Sequence, residues 1–288
     1  MTFRQTLWAA TLVLCGLALS GCSAVKLAYH QAPHLAYWQL NRYLDLSDAQ
    51  IERVRGDLGD LHRWHRDTLL PRHAELLQKV QRQLPLAVTP EQACGIYDDA
   101  RAQFDRLLSR AEPQFAGLAV QLSDAQIRHL ERRQADSNAD WKKEWLDPTP
   151  DRLREQRYQQ LLSRAEGFYG RLEAPQKTAL RAFVAQSSFD PQRSYAERLR
   201  RQKDLVQALE AIARDRQNIA QARALVQAYL ARWTESPDPA YRSYAQALVS
   251  EGCAGFALLH GTMSPAQRLQ AVASVGAYEQ DFLALAAR

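Results

Sequence analysis

The hexapeptide LSDAQI occupies residues 46–51 and is repeated letter for letter at 122–127, and its letters specify the start of an α-helix. Ser47 followed by Gln50 forms a capping box, in which the serine hydroxyl accepts a hydrogen bond from an N–H of the first turn while the glutamine side chain reaches back to the N–H of the cap. The leucine before the cap and the isoleucine in the first turn stand at the positions of a hydrophobic staple. Asp48 places a negative charge at the positive end of the helix dipole. We therefore interpret both copies as helix starts.

Three further helix starts share this pattern. Thr89 with Gln92 and Ser264 with Gln267 have both the cap and the box, and a proline fills the first helical position, where it is favoured. A looser copy at 172–176 lacks the Ser or Thr cap. The copies are irregularly spaced along the chain, so they do not indicate a solenoid repeat. They mark the points at which helices begin.

The composition and the apolar periodicity predict helix along most of the chain. Ala, Leu, Gln, Arg and Glu dominate, and no stretch alternates β-branched with polar residues. Apolar residues instead recur at helical spacing, and each such stripe should bury one helix face against a neighbour. The clearest stripes run through 51–64, 97–118, 195–212 and 269–285. We therefore predict an all-α fold, a multi-helix bundle of about eight to ten helices.

Prolines mark the breaks in this helical pattern. The stretch Asp-Pro-Thr-Pro at 147–150 is the clearest boundary, and it divides an N-terminal helical region, 22–146, from a C-terminal one, 147–288. The sequence leaves open whether these are two domains or one continuous domain. Pro71 falls inside a long periodic region, where it predicts the end or a kink of a helix.

The N-terminus has the pattern of a signal peptide. Arg4 precedes an apolar run, Leu7–Leu19, which is too short to cross a bilayer as a helix of about 20 residues and has the size of a signal-peptide core. Leu-Ser-Gly-Cys then follows and ends at Cys22. This order resembles a bacterial lipobox, so we expect 1–21 to be a lipoprotein signal peptide and Cys22 to carry lipid. The alternative is an ordinary secretory signal with a chance cysteine.

Resemblance to bacterial lipoproteins implies diacylglycerol and a further acyl chain such as palmitate on Cys22, and hence a membrane anchor. Ser23, in place of the Asp that resembles an inner-membrane retention signal, favours the periplasmic face of the outer membrane. The chain also resembles an uncharacterised family of Gram-negative lipoproteins of unknown function, through Leu-Ser-Gly-Cys and the stretches 32–38 and 189–199. That resemblance implies export and an all-α fold, and it implies no activity.

The repeated helix start carries a second resemblance. It is similar to the L-T-x-x-Q motif of small α-helical periplasmic chaperones of the envelope-stress response. Helix capping accounts for the same letters without kinship. The resemblance therefore points to a chaperone-like role only through a few residues at each site.

The cysteines that remain after processing predict a disulfide. Cys15 would leave with the signal peptide and Cys22 would carry lipid, which leaves Cys94 and Cys253 in an oxidising compartment. We predict that these two form a bridge. The alternative is a pair of buried free thiols.

The charge pattern argues against nucleic acid as a partner. The net charge is +5, and acidic and basic residues are interspersed without a basic stripe. The densest basic stretch is a candidate site for anionic lipid headgroups or envelope polymers. The alternative is that its charges pair along one helix with intervening acids. The stretch consists of Arg193, Arg198, Arg200, Arg201 and Lys203.

Histidines are the best candidates for metal ligands. His62 and His65 are one turn apart, and His73 and Glu75 follow after Pro71. The H-E-x-x-H pattern of zinc enzymes is absent. We therefore expect surface or interface histidines and no bound metal.

Aromatic residues cluster close to the lipidated end. Tyr29, Tyr37, Trp38 and Tyr43 either lie at the membrane interface, where such residues concentrate, or pack the first helix onto the body of the protein. We favour the packing interpretation.

The sequence contains no motif for a reaction. It lacks a nucleophile elbow, a P-loop and a dinucleotide fingerprint, so no cofactor and no catalytic residue are expected. We expect a lipid-anchored protein that acts by binding envelope proteins or anionic polymers, as a scaffold, accessory factor or chaperone. The alternative is an envelope hydrolase for cell-wall or lipid substrates, with a site assembled from distant helices. A cleft with clustered His, Asp or Glu would favour the hydrolase, and an apolar groove would favour binding.

Overall fold

The computed structural model describes residues 24–287, and within that range the chain is an all-α bundle without strands, as predicted. Helices α2 and α3 join through a π-helical turn at His65–Leu69, so the chain forms ten helical rods in this range, in line with the expected number. The helices are α1 Ala24–Leu44, α2 Asp48–Trp64, α3 Leu70–Gln83, α4 Pro90–Ala119, α5 Asp124–Trp145, α6 Pro150–Tyr169, α7 Ala174–Gln186, α8 Pro191–Arg214, α9 Ile219–Thr234, α10 Pro239–Gly261 and α11 Pro265–Ala286.

The five predicted helix starts begin α2, α4, α5, α7 and α11, and each forms a capping box. At the looser copy, the Glu173 side chain takes the place of the serine or threonine cap. The local pattern therefore specifies these helix starts, and at Glu173 a carboxylate oxygen is the acceptor in place of a hydroxyl.

The glutamines of the two LSDAQI copies bind each other. Gln50 donates from Nε2 to the Gln121 carbonyl at 2.9 Å, and Gln126 donates from Nε2 to the Asp45 carbonyl at 2.9 Å. The two amides also meet, with Gln126 Nε2 2.6 Å from Gln50 Oε1. Gln50 is buried. This first glutamine pair, Gln50 and Gln126, joins the start of α2 to the start of α5.

A second glutamine pair, Gln176 and Gln267, repeats the arrangement at the starts of α7 and α11. Gln176 donates to the Thr262 carbonyl at 3.0 Å, and Gln267 donates to the Arg171 carbonyl at 3.2 Å. Gln176 Nε2 lies 2.7 Å from Gln267 Oε1. In both pairs, each glutamine donates to the loop carbonyl that lies two residues before its partner's cap. The same arrangement of glutamines therefore joins two separate pairs of helix starts.

Each glutamine pair lies beside its own apolar cluster. In the first core, the staple leucines Leu46 and Leu122 are buried among residues of α1, α2, α4, α5, α8 and α9. In the second core, Leu172 and Met263 occupy the same position before the cap, among residues of α3, α6, α7, α10 and α11. Both cores draw on residues before and after 147–150, and the proposed division at that boundary stays a prediction.

Pro71 does not end the helix that contains it. Its ring clashes with the preceding turn and it lacks an N–H, so the ordinary hydrogen-bond pattern cannot continue through it. The π-helical turn at His65–Leu69 accommodates this mismatch, and α3 then continues. Leu69 and Leu70 at the junction are each 1% exposed, so the turn packs tightly into the protein.

The structure contains the predicted disulfide. Cys94 in α4 and Cys253 in α10 are bonded, with their Cα atoms 5.4 Å apart. The bridge joins residues 159 apart in sequence, so it closes a very long loop.

Removal of the disulfide should destabilise the fold. Replacing both Cys94→Ala and Cys253→Ala should lower the free energy of unfolding by about 2–5 kcal/mol, because the unfolded chain regains the entropy of an open loop. Urea denaturation followed by circular dichroism measures this loss. Two free thiols in peptide maps of protein isolated from the periplasm would contradict the pairing itself.

The glutamine pairs should contribute more than helix capping alone. Gln50→Ala should cost about 1–3 kcal/mol, since it leaves the Gln121 carbonyl without its donor in a partly buried site. Gln92→Ala is the matched control, because Gln92 is exposed and its box caps only its own helix. It should cost less than Gln50→Ala in urea denaturation.

A double-mutant cycle tests the pairing directly. Gln50→Ala and Gln126→Ala should be non-additive by about 0.5–3 kcal/mol, as expected for residues in contact. Additive losses, or equal losses for the Gln50 and Gln92 variants, would show that these glutamines act only as local caps.

Candidate functional site

An apolar opening lies over the first core, between α4 and α9. We call it the main cavity. It has a volume of about 450 Å³, within the range of ligand sites, and its walls come from α1, α4, α5, α8 and α9. It is lined by Gln39, Leu40, Tyr43, Leu44, Leu108, Phe115, Leu118, Ala119, Leu122, Leu130, Gln134, Gln202, Leu205, Leu209, Val226, Tyr229, Leu230 and Trp233.

The helical period places a row of large apolar side chains on one face of α4. We define the apolar stripe as Tyr97, Phe104, Leu108 and Phe115 of α4 with Trp233 of α9. The rings of Phe104 and Trp233 are 5.9 Å apart, and Phe115 and Trp233 both line the main cavity. Tyr97, Phe104 and Phe115 are 43%, 39% and 41% exposed. The expectation that this stripe is buried was therefore wrong for its three aromatic residues.

A second cavity, of about 590 Å³, extends the apolar surface toward the disulfide. It lies between α4 and α10 above the second core, and Tyr97 and Cys253 are among its walls. Tyr97 thus belongs both to this cavity and to the apolar stripe. Exposed apolar surface therefore continues along α4 from the first core to the second.

Few polar groups face the main cavity. Burial, together with the nearby Asp204 carboxylate, raises the pKa of Tyr229 to about 12, so its hydroxyl keeps its proton and can donate a hydrogen bond. The Gln202 amide, in contrast, binds Asn138, with Asn138 Nδ2 donating to Gln202 Oε1 at 2.7 Å. The Tyr229 hydroxyl is therefore a donor that could serve a ligand there.

A charged cluster on α8 flanks the main cavity. Glu197 is 5% exposed and accepts two hydrogen bonds from Arg200, at 2.8 and 2.9 Å, one from Arg201 at 2.9 Å and one from Ser236 at 3.1 Å. Burial acts to raise the pKa of Glu197, but the bonds from Arg200, Ser236 and Arg201 outweigh it and leave the pKa below its usual value. A carboxylate held in this way is a structural anion and not a proton-transfer group.

The remaining basic residues of the predicted site are also engaged within the fold, apart from Lys203, which is exposed. Arg198 donates to Asn138 and Ser137, each at 2.7 Å. Arg193 pairs with Asp190 at 3.4 Å. The ion pairs of Arg193, Arg200 and Arg201 agree with the pairing interpretation, whereas Arg198 binds neutral side chains of α5. Binding of anionic envelope polymers by this stretch stays a prediction.

The three candidate metal histidines cluster where α1 crosses the π turn. The Tyr29 hydroxyl donates to His65 Nδ1 at 3.0 Å, and His62 Nε2 donates to the Tyr29 carbonyl at 3.1 Å. The His73 and His65 rings are in contact, with centroids 5.4 Å apart and planes tilted by 44°. Among residues 24–287, no group of three or more His, Cys, Asp or Glu side chains has the arrangement of a metal site. His62 and His65 hold α1 against the rod formed by α2 and α3, and His73 contacts Phe282 of α11.

A further histidine is buried in the second core. His260 is fully buried, and its Nε2–H donates to the Leu86 carbonyl at 2.8 Å while Nδ1 accepts from the Tyr169 hydroxyl at 2.9 Å. Burial lowers the pKa of His260, which is consistent with this neutral form. Both ring nitrogens are occupied, so His260 joins α6 and α10 to the loop after α3 and leaves no nitrogen free for catalysis.

The aromatic residues of α1 divide between the two interpretations. Tyr37 and Tyr43 pack on the first core, and Tyr29 packs on the histidines, as favoured for the whole group. Trp38 is 55% exposed and does not pack in this way. Cys22 and the signal 1–21 lie outside the described residues.

Sequence reasoning missed the main cavity, although the spacing that builds it was visible. The stripe at 97–118 shows which residues share a face of α4. It does not show that α9 covers only part of that face.

Stability should depend on the charge of His65. The pKa of His65 is lowered to about 4 from an ordinary value of 6.5. Burial is the largest cause, followed by the nearby His73 and His62. Between these values the unfolded chain binds a proton that the folded chain does not, so the free energy of unfolding should fall as the pH falls from 6.5 to 4. His65→Gln should lose less stability over this range than the unmodified protein does.

Urea titrations at both ends of the range measure the effect. His34→Gln, at an exposed position on α1, is the control for the loss of one histidine side chain. An unchanged pH dependence in His65→Gln would assign it to other groups.

Comparison with known proteins gives a family and no activity. No curated protein and no solved structure matches the chain. Residues 42–240 match a family of unknown function, DUF6279, and this range contains every residue of the buried first core. Since the match covers more than half of the sequence, the chain belongs to the DUF6279 family.

Proposed function

We propose that this protein is a lipid-anchored protein of the bacterial envelope that acts by binding an amphipathic helix of a partner polypeptide. The site is the main cavity together with the apolar stripe. The observation that carries the proposal is the exposure of three aromatic side chains in one row on α4, beside a cavity with aliphatic and aromatic walls. Exposed apolar surface of this kind marks binding sites in soluble proteins.

The length of the stripe favours a helix over a small ligand. Tyr97 and Phe115 are five helical turns apart, which at 1.5 Å per residue is about 27 Å. A partner helix of about 18 residues has the same length. Anchor residues spaced along one helix face and seated in an apolar groove are a common mode of peptide recognition. The Tyr229 hydroxyl offers a hydrogen bond at one point of this surface.

The acidic and histidine side chains give little support to the hydrolase alternative. Glu112 accepts two hydrogen bonds from Arg223, at 3.1 and 2.9 Å, and Glu197 is held by Arg200 and Arg201. The histidine cluster holds α1, as described above. These groups are engaged in structural contacts, whereas the apolar surface of α4 is open, so binding is the better-supported function.

The lipid anchor is supported by the N-terminal sequence. The apolar run and Leu-Ser-Gly-Cys place a lipidated Cys22 just before α1, and Ser23 favours the outer membrane, with the protein on the periplasmic face. Between residues 24 and 287, no helix is both long and apolar enough to cross a bilayer. The resemblance to L-T-x-x-Q chaperones fits a chaperone-like or accessory role, with apolar helices of envelope proteins as the material bound.

Peptide binding tests the site. A dansyl-labelled amphipathic peptide of about 18 residues, with leucines on one face and lysines on the other, should bind the full chain saturably. Phe115→Asp places a charge in the stripe and should weaken binding by at least about tenfold, or 1.4 kcal/mol. Fluorescence anisotropy measures the affinity.

Leu269→Asp is the matched control, since Leu269 is also exposed but lies on α11, away from the stripe. It should leave the affinity unchanged. Equal weakening by both variants would overturn the assignment of the site. Saturable binding of palmitate, lost in Phe115→Asp, without peptide binding would replace the helix by an acyl ligand.

A further inference from the structure

We propose that α1 lies on an anionic lipid bilayer, with its outer face as a second membrane contact beside the lipid. This inference rests on the lipid anchor in the proposed function. The outer face is the row of side chains that α1 turns away from the protein. It consists of Leu27, Gln31, His34, Leu35, Trp38 and Arg42.

The two sides of α1 have different surroundings. On the inner side, Tyr29 contacts the histidines, and Leu40, Tyr43 and Leu44 pack on the first core. On the outer side, Leu27, Leu35 and Trp38 are 64%, 56% and 55% exposed. Exposure of three large apolar side chains along one helix face to water is unfavourable, whereas the boundary between headgroups and acyl chains accommodates them.

The polar residues of the outer face suit the same environment. The Arg42 guanidinium lies over the Trp38 ring at 5.2 Å from its centroid. Tryptophan and arginine are residues of the membrane interface, where the ring sits among headgroups and the cation reaches phosphate. The segment Ala24–Leu44 contains no Asp or Glu, so α1 itself presents no charge that an anionic surface would repel.

The position of the anchor selects the membrane over other occupants of this face. Cys22 lies two residues before α1, and two extended residues reach at most about 7 Å. The lipid therefore holds the start of α1 at the headgroups. A helix of this length, about 31 Å, then lies along the surface if its outer face faces the lipid. A protein partner or a second copy has no such tether to this face.

The contact would also position the proposed binding site. Gln39, Leu40 and Tyr43 of α1 line the main cavity. With α1 on the bilayer, the cavity is held beside the membrane at a fixed distance, within reach of helices that emerge from it.

Depth-sensitive fluorescence tests the contact. The lipidated full chain with Leu35→Cys is labelled at position 35 with the environment-sensitive fluorophore nitrobenzoxadiazole. It is then reconstituted in vesicles of phosphatidylethanolamine and phosphatidylglycerol. Leu269→Cys, at 65% exposure on α11, is the matched control. The emission at position 35 should shift to the blue and be quenched by brominated acyl chains, and the emission at position 269 should do neither. Circular dichroism checks that both variants are folded.

Flotation of the same samples, with mass spectrometry of Cys22, separates this inference from the anchor. Protein that floats but shows no quenching at position 35 keeps the anchor and overturns the contact. Protein with unmodified Cys22 overturns the anchor. In that case, quenching at position 35 still supports the membrane contact of α1, and a lack of quenching overturns the contact as well. Protection of position 35 that needs added envelope protein or a higher concentration of this chain assigns the face to a protein and overturns the membrane contact.

Discussion

The fold depends on a side-chain amide that serves two helices at once. In each capping box, the glutamine oxygen accepts from the N–H of its own cap, as Gln50 does from Ser47 at 3.0 Å. The amide nitrogen remains, and a buried donor without a partner is costly. Gln50 and Gln126 satisfy these nitrogens on each other and on each other's loop carbonyls. A local helix start thereby becomes a tertiary contact, and the leucine before each cap is directed into the core.

The second glutamine pair repeats this arrangement. Gln176 and Gln267 reproduce the geometry around the second core, although one cap is a glutamate. Each pair fixes the starts of two helices. The longer helices then connect the two halves of the bundle: α4 contributes to the first core and packs against α3 and α10, and the π turn lets α2 continue as α3 despite Pro71. The Cys94–Cys253 bridge holds α4 to α10 between them.

Part of this fold could be predicted from interactions between residues close in sequence. A capping box is specified by residues close in sequence, so all five helix starts could be predicted. The disulfide followed from the two cysteines that the expected processing would leave. The glutamine pairs could not be predicted, because a capping glutamine in contact with another, such as Gln50, has the same sequence signature as the exposed Gln92. The main cavity was missed for a related reason. Periodicity identifies the residues that share a face of α4, as with Phe104 and Phe115, but the coverage of that face depends on where α9 packs.

The proposed binding function is supported by a contrast between the polar side chains, which have partners within the fold, and the exposed apolar ones. The buried acids Glu112 and Glu197 are neutralised by arginines, and His260 uses both ring nitrogens within the second core. These polar groups therefore make contacts within the fold. Several large apolar side chains, in contrast, are exposed on α4 and on α1. Both helices also border the main cavity, because the side of α1 opposite its open face forms one wall and α4 forms another. The open apolar surfaces of α4 and α1, beside acids and histidines engaged within the fold, support the proposed binding of an apolar partner beside a membrane.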